Sequence, residues 1–129
     1  MGRYYSGDIN GKFWFAVQSS DAADRFGVRG SEPNYITYYY TKDDLPGVIE
    51  ELVNIKASLG DYFDKFKTFF EEKAYYNDEE LMEYIGLENT NENKDKFRKM
   101  LSDYADHGLG MKIKKHLEQY SECVFDAEF

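Results

Sequence analysis

Four cationic side chains, Arg3, Lys12, Arg25 and Arg29, fall within 27 residues and are interleaved with flat aromatic faces at Tyr5, Trp14, Tyr38, Tyr39 and Tyr40. Gln18 and Ser19 add directional hydrogen-bonding groups to the same stretch. Guanidinium groups grip phosphate oxygens through paired N–H bonds, and aromatic faces stack on planar rings. Together these are what a small, anionic, nucleotide-like ligand requires. In that reading Arg3, Arg25 and Arg29 hold phosphate, with Lys12 adding charge. Tyr5, Trp14 and Tyr39 stack, Gln18 reads an edge, and a short helix after Ser20 offers backbone N–H groups. The competing use of the same residues is packing within a sheet or a subunit interface, where Tyr, Trp and Arg are also enriched.

Other chemistries find less support. His107 and His116 have no serine or cysteine partner at a diagnostic spacing, and no G-x-S-x-G, phosphate-loop or H-E-x-x-H pattern occurs. The sequence therefore points away from an enzyme, with a nucleotide-processing activity as the residual possibility. Asn89-Thr90-Asn91-Glu92-Asn93 imitates the opening of a calcium loop. It lacks the glycine at the sixth position and carries Met100 where the bidentate glutamate belongs, so no metal is expected. Cys123 is the only cysteine, which excludes an internal disulfide, and it falls on the inward side of a patterned strand, where a thiol acts as a small hydrophobe. No cofactor is implied.

Charge is unevenly spread. Residues 1–40 hold 10 of the 23 aromatic residues and balance four basic against four acidic groups, so the whole net charge of -9 resides in residues 41–129. That balance argues against nucleic-acid binding, and Lys112-Lys114-Lys115 reads as a solvated face. It leaves open a second function, an acidic inhibitor that docks on a basic host protein or imitates nucleic acid. Substitution separates the two: losing Arg25 or Trp14 should abolish ligand binding and leave an acidic-surface inhibitor intact. No apolar run reaches the length of a membrane helix and no basic-then-apolar leader opens the chain, so a cytoplasmic protein, intact from Met1, is expected.

The elements that must position these residues follow from pattern. Asn10-Gly11 predicts a two-residue hairpin turn, placing Tyr4 opposite Val17 and Ser6 opposite Phe15. Phe13, Phe15 and Val17 then face the core, and Arg3, Tyr5, Lys12, Trp14 and Gln18 share the other face. Asp8 beside Phe13 fits that register poorly. Ser20 to Gly27 reads as one or two helical turns capped by Ser20 and stopped by Gly27, and 35–41 as a β-prone strand. Helical periodicity takes over with stripes at Leu45–Leu59 and Tyr62–Phe70, parted or kinked at Gly60, and a short helix opens at Asp78 and ends near Gly86. Asn89–Lys94 reads as a polar linker. One helix carries Phe97 to Ala105, Gly108 and Gly110 punctuate, and a last helix carries Ile113 to Tyr120. The tail 123–129 alternates with period two and should join the N-terminal sheet. The expected fold is α+β in a single domain over 1–129: an aromatic β-rich head at 1–41, an acidic helical body at 42–122 and a terminal strand. Its small, mainly antiparallel sheet is packed on one face by four to five helices.

The segments Gly2-Arg3-Tyr4-Tyr5-Ser6-Gly7-Asp8-Ile9 with Gly11-Lys12-Phe13-Trp14-Phe15, and Cys123-Val124-Phe125-Asp126-Ala127-Glu128-Phe129, resemble small uncharacterised proteins of bacteriophages and environmental viruses. The resemblance covers about a third of the chain, at its two ends. It implies a context, in which small phage accessory proteins bind and neutralise a host protein or a defence-signalling nucleotide in the host cytoplasm. The expectation is thus a non-enzymatic binding protein that sequesters a nucleotide-like ligand. An open aromatic sheet face would be covered by a second copy, which predicts a homo-oligomer.

Overall fold

The computed structural model describes residues 3–30, 36–73 and 75–128. Within them the alternation of the tail becomes β4 (Glu122–Ala127), with Cys123, Phe125 and Ala127 buried. It is the central strand that unites the fold. Four strands, β1 (Tyr4–Gly7), β2 (Gly11–Lys12), β3 (Ile36–Thr41) and β4, form one antiparallel sheet in the order β2-β1-β4-β3. Four helices complete the expected α+β fold: α1 (Leu45–Leu59), α2 (Asp61–Glu72), α3 (Asp78–Tyr84) and α4 (Asn91–Gln119). Tyr35 and Phe129, expected within the two strands, lie outside the described residues.

Alternate residues of the two long strands are buried, Ile36, Tyr38 and Tyr40 on β3 and Cys123, Phe125 and Ala127 on β4. Tyr38 and Tyr40 on β3 stack on Phe125 of β4, with ring centroids 5.2 and 6.2 Å apart. Their hydroxyls donate to Asp24 Oδ1 and to the Ala23 carbonyl, at 2.5 and 2.6 Å, tying β3 to a 3₁₀ turn at Ala22–Phe26. Gly27 ends that turn in the left-handed conformation, φ 101°, as glycine readily does. Ser20 does not cap it. Its buried hydroxyl accepts from Arg3 instead.

The N-terminal hairpin differs from its expected form. Tyr4 pairs with Lys12 and Tyr5 with Gly11, so residues 8–10 form the loop and the second strand stops after two residues. The cause is competition from β4. Asp8 crosses to it, donating its N–H to the Val124 carbonyl (2.7 Å) and accepting the Val124 N–H on its carboxylate (2.8 Å). After Phe13 the chain turns, with Gln18 N–H returning to the Trp14 carbonyl at 2.9 Å and Ala16 held at φ 67°. Phe13 is buried as expected, Val17 is half-buried, and Phe15 is 73% exposed rather than inward.

Among the helices, Gly60 (φ 57°) parts α1 from α2. Val48, Leu52, Ile55 and Leu59 bury one stripe of α1, and Phe63, Phe66 and Phe69 one stripe of α2. The largest departure from the sequence reading is α4. Thr90 caps it, accepting from Asn93 N–H at 3.1 Å, so most of the expected linker is already helix. It then runs unbroken for 29 residues through Gly108 and Gly110, where two helices were expected. Gly110 is there for packing. A Cβ at this position would lie 2.5 Å from Phe26 Cζ and 2.8 Å from Leu52 Cδ2.

Candidate ligand-binding site

The eight expected site residues do not converge on one place. Arg25 is committed to carboxylates, with Nε 2.7 Å from Glu51 and Nη1 2.7 Å from Asp106 and 3.3 Å from Asp103. Burial favours its neutral form, but the hydrogen bonds and charges of Glu51 and Asp106 outweigh this and hold its pKa above the usual arginine value. A guanidinium spent on three carboxylates has no charge left for phosphate. Tyr39 lies on the outward face of the sheet, half exposed, donating to Glu122 at 2.7 Å.

Arg3, Arg29 and Gln18 line an open hollow of about 800 Å³. Arg3 is held there by Ser20 Oγ and the Gln18 carbonyl, both at 2.5 Å, with its guanidinium 5.4 Å from the Phe13 ring centre. Asp21 and Asp24 share the walls, so the local charge is mixed. That hollow favours no anion.

The remaining expected residues, Tyr5, Lys12 and Trp14, meet in a second cavity of about 400 Å³, whose wall Gln18 also joins. Volumes of roughly 300–1,000 Å³ are usual for small-molecule sites. Four elements build it. β1 supplies Tyr5, β2 supplies Lys12, α2 contributes Phe63 and Lys67, and α4 lays Tyr104, His107, Gly108 and Lys112 along one side.

Trp14 is wedged edge-on against Phe70 (5.1 Å) and Tyr104 (6.1 Å), and Phe63 meets Tyr104 (5.6 Å) and His107 (4.7 Å). Gln18 fixes Trp14 from behind. Its side-chain oxygen accepts the Trp14 backbone N–H at 3.0 Å and its amide donates to Asp106 at 3.0 Å. The expected edge reader is a positioning residue, its polar atoms already engaged.

Lys112 is anchored too, donating to the Tyr5 hydroxyl (2.9 Å) and the Asn10 carbonyl (2.8 Å). This explains Gly11, whose Cβ would sit 2.5 Å from Tyr5 Cζ and 2.6 Å from Lys112 Nζ. The Asn10-Gly11 pair thus serves close approach to a lysine and a tyrosine, where a hairpin turn was expected.

The electrostatics of this cavity differ from those of the whole chain. Lys12, Lys67 and Lys112 line it, and no carboxylate does among the described residues. None of the three takes part in an ion pair among the described residues, whereas Lys73, Arg98, Lys99 and Lys114 each do. Burial, and then the nearby Lys56 charge, lowers the pKa of His107, so its ring is neutral near pH 7. The walls bring no serine or cysteine among the described residues. Cys123 lies elsewhere, fully buried, its thiol pushed up to about 12 by burial and the Asp8 charge. A thiol that weakly acidic supplies no nucleophile at neutral pH.

Sequence reasoning missed Phe63, Lys67, Tyr104, His107, Gly108 and Lys112. A signal for three of them existed. Tyr104, Gly108 and Lys112 stand at i, i+4 and i+8, one helical stripe, once residues 91–119 are read as a single helix. Compared with protein-family models, with curated proteins and with solved structures, the chain matches none.

Proposed function

We propose that the protein binds, without turning it over, a small anionic ligand that carries a flat ring, a nucleotide being the type. The observation that carries this reading is the pairing, in one cavity, of three unneutralised ammonium groups with aromatic walls in a chain of net charge -9. Ammonium groups at the exposed rim of an aromatic cavity attract phosphate, and Trp14, Tyr104 and Phe63 offer edges for a planar ring. His107 is a base without a carboxylate, serine or thiol beside it in the walls among the described residues, which favours binding over catalysis. In the bacteriophage setting that the chain ends suggest, such binding would act by sequestering a host signalling nucleotide.

Trp14 is the only tryptophan, so its fluorescence reports this cavity directly. Linear and cyclic nucleotides titrated into the protein should quench or shift that emission, with matching heats in a calorimeter and no product formed. Trp14→Ala and Lys67→Met should each weaken the heats. Silence from every nucleotide at millimolar concentration would overturn the proposal, and release of product would replace it with an enzyme.

A further inference from the structure

Gly108 and Gly110 both lie inside α4, and only one of them has a reason in the fold. Gly110 admits Phe26 and Leu52. Gly108 has no such neighbour: a Cβ added there meets nothing within 4 Å, and its backbone is not in the left-handed region. Glycine is disfavoured in a helix interior, and neither packing nor backbone conformation asks for it here. Its missing side chain opens onto the cavity that holds Lys67 and Lys112.

We propose that Gly108 is kept bare to seat the ligand, which lies along α4 with its flat ring at the Tyr104 end and its anionic group at Lys112. This rests on the reading of the cavity as a nucleotide-like site and gives that ligand a length and a direction. Residues four apart on a helix share a face and rise by about 6 Å, so the Cα atoms of Tyr104 and Lys112 stand about 12 Å apart along the axis, with the bare turn at Gly108 between them. A bare inorganic anion cannot span that distance. A mononucleotide, with ring, sugar and phosphate in sequence, can. Bare backbone at the middle turn lets the sugar approach the helix to van der Waals contact, as glycine does where a ligand must come close. At the far end an ammonium has three donors, and Lys112 gives two of them to Tyr5 and Asn10. The third is left for phosphate.

The test is calorimetric titration of the four common nucleoside 5′-monophosphates, adenosine and inorganic phosphate into the full chain and three variants. The wild type should bind at least one monophosphate about tenfold or more tightly than adenosine or phosphate alone, about 1.4 kcal/mol for each factor of ten. Gly108→Leu should lose that binding by a further factor of about ten or more, with Gly108→Ala between them. Both should keep the wild-type circular dichroism, since a Cβ at this position meets nothing within 4 Å. Lys112→Gln should reduce the monophosphate to the affinity of adenosine and leave adenosine unchanged.

Undiminished binding by Gly108→Leu overturns the placement over Gly108, and phosphate binding as well as any monophosphate overturns the span. A wild type that binds only cyclic or larger nucleotides overturns this inference and leaves the cavity reading standing. Silence toward every nucleotide sinks both.

Discussion

The two glycines of α4 should respond to the same substitution with opposite signs. Alanine at an ordinary helix-interior position stabilises by about 0.8–1.0 kcal/mol relative to glycine. Gly108→Ala adds a methyl that touches nothing within 4 Å, so the full propensity gain should appear. In a chain of 129 residues that corresponds to a rise in Tm of about 3–5 °C. Gly110→Ala collects the same gain but drives its Cβ to 2.5 Å from Phe26 Cζ and 2.8 Å from Leu52 Cδ2. Optimal carbon–carbon contact is about 3.5–4.0 Å, so both neighbours must retreat by about 1 Å. Phe26 is fully buried and Leu52 nearly so, which leaves neither a free direction. Overpacking of this kind costs about 1–3 kcal/mol, and two rigid neighbours place it in the upper half. The net expectation is a destabilisation of about 1–2 kcal/mol, separating the variants by about 2–3 kcal/mol. Thermal unfolding followed by circular dichroism, without ligand and in one buffer, measures both. Gly110→Ala melting at or above the wild type would refute the packing argument. Gly108→Ala melting below it would refute the claim that the fold leaves that position free.

Arg25→Met leaves the nearly buried carboxylate of Asp106 with the Gln18 amide alone and that of Asp103 with the exposed Lys99. With the Arg25 side chain 30% exposed the loss should be about 2 kcal/mol, below the value for a fully buried pair. Denaturant titration should show Asp106→Asn recovering at least half of it in the same background, while nucleotide affinity stays within about twofold of wild type, about 0.4 kcal/mol. His107 is neutral-favouring in the fold, so its contribution is complete above its ordinary value of 6.5 and is lost as pH falls through its lowered folded value. His107→Gln should therefore flatten the decline in Tm between about pH 7 and about pH 5, and an unchanged slope would contradict the assignment. Phe125→Ala removes the ring on which Tyr38 and Tyr40 stack and should cost about 3–5 kcal/mol by chemical denaturation.

Much of the fold was legible because period-two and period-3.6 patterns report which face is buried. β4 is the plainest case, since Cys123, Phe125 and Ala127 alternate with polar residues and all three are buried. The hairpin register was not legible, because Asn10-Gly11 speaks only for local turn preference. The deciding contact, Asp8 to Val124, joins residues 116 apart in sequence. The same limit governs the site. Tyr5, Lys12 and Trp14 announced themselves by type, but their partners lie on α2 and α4, beyond any spacing rule. Arg25 misled for the converse reason: its three carboxylate partners are equally remote, and without them it reads as a free cation. Reading Gly108 and Gly110 as breaks hid the stripe Tyr104, Gly108, Lys112, although a helix tolerates glycine when capping and packing hold both sides.

The distribution of charge is the deeper argument for a ligand. Around the head the carboxylates are consumed as structural acceptors: Asp103 and Asp106 by Arg25, Asp24 by Tyr38 and the Gly30 N–H, Asp8 by Val124 N–H, Asp126 by Thr37. Any of these positions shows that the chain can place an acid beside a polar donor when folding needs one. At the cavity that Lys12, Lys67 and Lys112 line, no carboxylate forms part of the wall among the described residues, and the acid whose charge is felt there is Glu71, which acts on the Tyr104 hydroxyl. Solubility does not call for these lysines, because a net charge of -9 already supplies it. Three lysines that form no ion pair among the described residues, set at the rim of an aromatic cavity with no carboxylate in its wall, are the feature on which the proposed anionic ligand rests.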